Sequence, residues 1–144
     1  MEPDVRKLSG IVLEQDPLVL SSTVSVEEGC RQMSERGVGS VLVCNDAGRL
    51  IGIFTGRDAV CRVLALGKDA ARCTLAEAMT PKPVTLSPDQ SAIDALRLMW
   101  DGGFRHVPLV NNVGRILGVV SRGDFRGLEL SRHEDERELW EHMR

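Results

Sequence analysis

Two short segments each place a hydroxyl side chain three residues before a carboxylate, at Thr55–Asp58 and at Ser121–Asp124. If each segment begins a helix, one interpretation is a helix N-cap, in which the hydroxyl accepts a backbone N–H and the acid lies at the positive helix end. The second interpretation is an anion site: free amides and a hydroxyl at a helix N-terminus can hold phosphate. An outward-pointing Asp carboxylate can also accept two hydrogen bonds from a ribose diol. Arg57, Arg122 and Arg126 supply cations beside the two segments, so both interpretations stay open.

Both segments lie at the end of a repeated sequence. Shifting residues 17–58 by 66 positions aligns them without a gap on residues 83–124, with 13 identities in 42 positions, against about two or three expected by chance. The identical pairs include Pro17/Pro83, Ser25/Ser91, Gly37/Gly103, Gly52/Gly118 and Asp58/Asp124. Each copy together with its trailing helix has about 60 residues, which is marginal for independent folding, so two copies are expected to pack face to face.

Each copy alternates strand and helix signals. Short extended runs follow Pro17 and Pro83, and capping boxes at Ser25 and Ser91 then begin helices of about ten residues. Glycines end these helices, and two further buried strands form a hairpin before the Thr55 or Ser121 segment begins a second helix. The predicted fold class is α+β, with two strand-helix-strand-strand-helix motifs packed about a pseudo-twofold axis.

The predicted domain organisation has four parts. Residues 1–16 form a leading segment with a helix, and residues 17–73 form the first repeat with its trailing helix. Residues 74–130 form the second repeat with a linker helix that is capped at Thr74. Residues 131–144 form an acidic C-terminal helix, which is interpreted either as a solvated helix or as a surface that packs against a partner.

Composition excludes several classes of function. The 144 residues carry a net charge of −3 and only five aromatic side chains, which argues against a nucleic-acid-binding surface. No apolar run is long enough to span a membrane. The four cysteines lack zinc-ligand spacing and are expected to be free thiols in a reducing cytoplasm. No Cys has a base and an orienting group near it, so no enzyme activity and no metal site are predicted.

At the level of motifs, the chain resembles a known family. The last seven residues of the two copies are Gly52–Asp58 and Gly118–Asp124, and the predicted central strand of the second copy is in Arg105–Val110. Over roughly residues 5–130 this pattern is similar to a pair of CBS domains (the cystathionine beta-synthase motif), together called a Bateman module. The resemblance implies a regulatory receptor for adenosyl ligands (AMP, ADP, ATP or S-adenosylmethionine) that needs no other cofactor and forms homodimers.

The resemblance also implies a binding site in a cleft between the repeats. Thr55 and Ser121 would contact phosphate, Asp58 and Asp124 would hold ribose hydroxyls, and adenine would lie between apolar strand residues. The first strand of the other copy would form a wall of each pocket. The full candidate set is Thr55, Asp58, Ser121, Asp124, Arg57, Arg122, Arg105, His106, Val84, Thr85, Val19, Ile53 and Val119.

The two copies differ in positive charge. Where the second copy has Arg105 and His106, the first has Gly39 and Ser40. Residues 105–128 contain four Arg and one Asp, a local charge of +3, so the second copy is the better candidate for a polyphosphate. His106 is interpreted either as a ligand contact or as a partly buried structural residue.

The predicted function is therefore a non-catalytic module that binds an adenosyl ligand and signals by conformational change to a separate, unidentified effector protein. Neither nucleic acid nor a membrane is expected as a partner. The alternative is a structural dimerisation scaffold with vestigial, unoccupied pockets, in which the two Ser/Thr-to-Asp motifs are only helix caps.

Overall fold

A computed structural model describes residues 6–13 and 15–125 of the chain. The predicted acidic helix over residues 131–144, and Arg126, lie outside the described residues. The elements of the first copy are β1 (Val19–Ser21), α2 (Val26–Arg36), β2 (Ser40–Cys44), β3 (Leu50–Thr55) and α3 (Gly56–Ala59), which continues as a π-helical segment over Val60–Leu64. The other elements are α1 (Leu8–Ile11), α4 (Leu75–Ala78), β4 (Thr80–Pro81), α5 (Ala92–Gly102), β5 (His106–Val110), β6 (Ile116–Ser121) and a 3-10 turn (Arg122–Asp124).

The two long helices begin and end where the sequence predicts. Ser25 Oγ accepts the Glu28 N–H at 3.1 Å, and Ser91 Oγ accepts the Asp94 N–H at 3.2 Å. At the other ends, α2 and α5 stop at glycines with φ of 65° and 72°, in the left-handed region that only glycine enters without strain. The mixed α+β fold class is confirmed.

The strands of the first copy form a four-stranded sheet in the order β1-β2-β3-β4. β1 is parallel to β2, and the other two pairs are antiparallel. In the second copy β5 pairs with β6, and the predicted strand at Val84–Leu86 is reduced to an isolated parallel bridge between Leu86 and Leu109.

The chain divides into two compact units whose composition differs from the order of the sequence. The first unit consists of Asp16–Val84 and Asn112–Ile116; the second contains the leading segment up to Gln15, Thr85–Asn111, and the described residues from Leu117 on. The linker elements α4 and β4 thus belong to the first unit, and the leading helix α1 belongs to the second. The four-part division predicted from the sequence follows the order of the repeats along the chain. As a division into folded domains it stays a prediction.

The leading segment and the linker play equivalent parts in the two units. Leu8 N–H donates to Gln90 O, and Leu75 N–H donates to Val24 O. Because Val24 and Gln90 are equivalent positions of the repeat, Leu8 and Leu75 are equivalent too, with a shift of 67 residues. Leu8 and Leu75 are both fully buried in the apolar cluster of their own unit. Each copy therefore completes its core with a short helix from outside the 42-residue repeat.

Two equivalent glycines allow these segments to approach the sheets closely. A Cβ on Gly52 of β3 would overlap Met79 Sδ, and one on Gly118 of β6 would lie 2.8 Å from Val12 Cβ. The strands at the two motifs are thus covered by side chains of the linker and of the leading segment, respectively.

Candidate functional site

In the second unit, the motif at the end of β6 is a cap in which, among the described residues, only one oxygen of the Asp124 carboxylate accepts hydrogen bonds. Asp124 Oδ2 accepts the Ser121 N–H at 2.7 Å and the Ser121 hydroxyl at 3.2 Å. Within the described residues, no hydrogen bond reaches the other oxygen, Oδ1, and Asp124 is half-buried. Capping therefore uses only one of the two carboxylate oxygens.

Two basic side chains at the start of β5, Arg105 and His106, lie near this carboxylate. The Arg122 N–H donates to Arg105 O at 3.0 Å, which fixes the motif next to the start of β5. His106 is half-buried, and burial lowers the pKa of its imidazole; the Asp124 carboxylate opposes this shift and Arg105 adds to it. Arg105 and Arg122 themselves are exposed. The structure thus brings five of the predicted residues together in one unit: Ser121, Asp124, Arg105, His106 and Arg122.

Two residues of the leading segment support this site and were not predicted. Arg6 Nη2 donates to the main-chain carbonyl of Asp124 at 2.6 Å. The Gln15 carboxamide donates to Val119 O at 2.9 Å and accepts from Val119 N–H at 3.0 Å. The half-buried Val119 is therefore held through its backbone, and its side chain remains the candidate adenine contact.

In the first unit, the equivalent carboxylate is buried and fully occupied. Asp58 is 8% exposed, and its Oδ2 accepts the Thr55 N–H at 3.0 Å and the Thr55 hydroxyl at 3.2 Å. Its Oδ1 accepts the Thr80 hydroxyl at 3.1 Å and lies 3.4 Å from Arg62 Nε. Arg62 is fixed in turn by donating to Met79 O at 3.0 Å. Thr80 and Arg62 were not predicted as site residues.

The signal that could have identified Thr80 is weak in the sequence. It lies in the linker, whose relation to the leading segment requires a shift of 67 residues, and Leu8/Leu75 is the only identity between residues 8–15 and 75–82. Arg62 lies beyond the aligned repeat, four residues after Asp58, where an i,i+4 ion pair on a helix is expected.

The remaining predicted residues are placed as follows. Arg57 is exposed beside Asp58, whereas Ile53 is buried and pairs with Thr80 across β3 and β4. Val19 and Val84 are exposed apolar residues of the first unit, and Thr85 is an exposed residue of the second. Val19 lines an open groove of about 580 Å³ in the first unit, together with Asp16, Pro17, Leu18, Gln32, Arg36, Gly48, Arg115 and Ile116.

Other site types have no support in the part of the chain that the structure covers. Residues 6–13 and 15–125 contain no cluster of three or more His, Cys, Asp or Glu side chains that could hold a metal ion. Over the same residues, no helix has the length and apolar character needed to cross a bilayer.

Together, the fold and the motifs define a duplicated α+β module in which the last strand of each copy leads into a capped turn that contains an Asp carboxylate. The CBS-domain family model matches residues 6–64 and 75–130, and the chain therefore belongs to the CBS-domain family. This confirms the resemblance seen in the motifs.

Among curated relatives, the chain is similar to an uncharacterized protein of Methanopyrus kandleri, with 32% identity over 120 residues, which are 83% of this chain and 61% of that protein. It is 34% identical over 103 residues to the CBS domain-containing protein CBSCBSPB2 of Arabidopsis thaliana, which covers 72% of this chain and 19% of that protein. The chain thus spans about three fifths of the first relative and about one fifth of the second.

Two solved structures illustrate the similarity in fold. A CBS-domain containing protein from Agrobacterium tumefaciens has 28% identity and a TM-score of 0.74, covering 82% of this chain and 94% of that one. A CBS domain protein from Pyrobaculum aerophilum, complexed with AMP, has 22% identity and a TM-score of 0.80, covering 90% of this chain and 99% of that one.

Proposed function

We propose that this chain is a regulatory module that binds an adenine nucleotide through the second-copy motif. The observation that carries the proposal is the carboxylate of Asp124, whose Oδ1 is not used by the cap and lies on a motif flanked by Arg105, His106 and Arg122. Membership of the CBS-domain family supports the proposal, as do structural neighbours that were solved with AMP.

The chemistry of the site fits the two ends of a nucleotide. A carboxylate accepts up to about four hydrogen bonds, so Asp124 can keep its cap and accept two ribose hydroxyls. The exposed guanidinium groups of Arg105 and Arg122 would pair with phosphate, for which a planar bidentate donor is well suited. S-adenosylmethionine shares the ribose and the adenine but carries a cation in place of phosphate, so this arrangement favours AMP, ADP or ATP.

The output of the module is binding rather than catalysis. A nucleotide with different affinities for two conformations would shift their populations, and a separate effector protein would sense the shift. We also propose a homodimer, because the π-helical segment after the first motif exposes Val60 and Leu64, and nearby Leu66 is exposed as well. Sedimentation equilibrium of the purified chain tests the dimer. The four free cysteines fit the reducing cytoplasm that the sequence predicts as its location.

A second candidate function, the dimerisation scaffold with unoccupied pockets, is favoured by one specific observation. Both oxygens of the buried Asp58 carboxylate are already occupied, by Thr55 on Oδ2 and by Thr80 and Arg62 on Oδ1, as expected of a structural helix cap. The two candidates differ in what they predict for added nucleotide.

A thermal-shift series with millimolar AMP, ADP, ATP and S-adenosylmethionine separates the two functions. A ligand at 100 times its Kd stabilises the folded state by about 2.7 kcal/mol, so a nucleotide-binding chain melts at a higher temperature. Asp124→Ala is expected to reduce the increase by about half or more, since the ligand then stands at only about 1 to 10 times its Kd. Asp89→Ala, a change at an exposed residue of the same unit, should keep the full increase. An unchanged melting temperature with all four ligands would favour the scaffold.

A further inference from the structure

The two motif carboxylates differ in how many hydrogen-bonding positions remain for a ligand. In the first unit, Asp58 is hydrogen-bonded or ion-paired on both oxygens, by Thr55 on Oδ2 and by Thr80 and Arg62 on Oδ1. In the second unit, the described hydrogen bonds to the Asp124 side chain all reach Oδ2 and all come from Ser121. We call Asp58, Thr55, Thr80 and Arg62 the Asp58 cluster.

This difference between the two carboxylates follows from the amino acids at two equivalent positions. The shift of 66 residues places Leu128 at the position equivalent to Arg62. The shift of 67 that relates the linker to the leading segment places Leu13 at the position equivalent to Thr80. Leucine has no side-chain donor, so the second copy lacks both residues that occupy Oδ1 of the first-copy carboxylate.

We propose that Thr80 and Arg62 act as internal substitutes for a ribose diol, so that the first-copy motif is closed to nucleotides and the chain binds one nucleotide, at the second-copy motif. This inference rests on the proposed function. Thr80 and Arg62 are thereby specificity-determining residues, because they decide which of two equivalent motifs is available.

The physical reason is an exchange of hydrogen bonds with little net gain. A ribose that binds Asp58 Oδ1 must displace the Thr80 hydroxyl, which is half-buried, and the Arg62 guanidinium, whose side chain is 47% exposed and can bind water instead. The penalty therefore falls mainly on Thr80, because a hydroxyl that loses its acceptor away from water costs about as much as a typical hydrogen bond contributes. At Asp124 the ribose adds hydrogen bonds on Oδ1 without displacing a donor from any described residue.

The pairing of β3 with β4 strengthens the closed state. Thr80 begins β4 and is in register with Ile53 of β3, so its hydroxyl is held by the sheet. Arg62 is held from the other side by its bond to Met79 O. Each donor thus has a second contact within the chain, and moving Thr80 away from Asp58 would also disturb the edge of the sheet.

Isothermal titration calorimetry of the full chain with AMP tests the inference through the number of sites. The parent is expected to bind one AMP per chain, with affinity about ten- to a hundredfold lower in Asp124→Ala, the effect of losing a charge-assisted hydrogen bond. Thr80→Val and the double variant Thr80→Val/Arg62→Leu should open the first-copy motif and bind two AMP per chain. Thr23→Val, the same change at an exposed residue of the first unit, is the control and should bind one.

The possible failures are distinguishable. Two sites in the parent, a single site that survives Asp124→Ala, or one site in folded Thr80→Val and folded double variant would contradict the closed first-copy motif but leave nucleotide binding intact. A parent that binds neither AMP, ADP nor ATP would contradict the proposed function itself. The Asp58 cluster is then still tested without ligand: Asp58→Asn should lower the melting temperature more than Asp124→Asn does, and equal decreases would refute its role.

Discussion

Replacing Leu8 by Ala tests whether the leading segment completes the core of the second copy. The Leu8 side chain is fully buried among apolar residues of the second unit, and its N–H bonds to Gln90 O just before α5. Leu-to-Ala changes at fully buried positions cost about 2–5 kcal/mol, because a transfer term and a cavity term add. At about 3 °C per kcal/mol for a chain of this length, the melting temperature should fall by about 6–15 °C.

Chemical denaturation and a thermal melt of Leu8→Ala provide the measurement, and the same segment supplies its control. Leu13→Ala makes the identical change at a side chain that is 80% exposed, so its free energy of unfolding should stay within about 0.5 kcal/mol of the parent. Leu75→Ala, at the equivalent buried position of the linker, should cost as much as Leu8→Ala. A Leu8→Ala variant as stable as Leu13→Ala would refute the assignment of the leading helix to this core.

Two further predictions concern packing and pH. Gly52→Ala should destabilise the chain by about 1–3 kcal/mol because its Cβ would overlap Met79. Gly56→Ala, which has open space around the new Cβ, should be neutral or stabilising. Equal urea midpoints for the two variants would contradict this packing. Because burial lowers the folded-state pKa of His106 below its usual 6.5, the unfolded chain binds more protons as pH falls through that value, and stability decreases from about pH 7.5 down to the folded pKa. His106→Gln should flatten this part of the stability curve, and an identical pH dependence in the variant and the parent would exclude the effect.

Most of each copy could be predicted from its own sequence because the signals are local. Ser25 and Ser91 cap the helices, Gly37 and Gly103 end them, and the hydroxyl-to-acid spacing is itself a cap. These signals act within a few residues, so a single sequence contains them. The gap-free alignment of the two copies then identified the two motifs as equivalent.

The environment of each motif carboxylate could not be predicted because it depends on distant contacts. Thr80 reaches Asp58 from 22 residues away, and Arg6 reaches the Asp124 carbonyl from 118 residues away. Neither segment shows a periodic pattern long enough to indicate its place. As a result, the sequence alone ranked the two sites by positive charge, whereas the structure adds a second difference, the internal occupation of Asp58.

A crystal structure of the chain grown with saturating AMP tests the central claim most directly. The account predicts one AMP per chain, with its ribose hydroxyls within hydrogen-bonding distance of the Asp124 carboxylate and the Thr80-to-Asp58 hydrogen bond intact. A ribose bound to Asp58 would contradict the account. So would an ordered second-copy motif that holds no nucleotide, if the AMP concentration saturates the chain in solution.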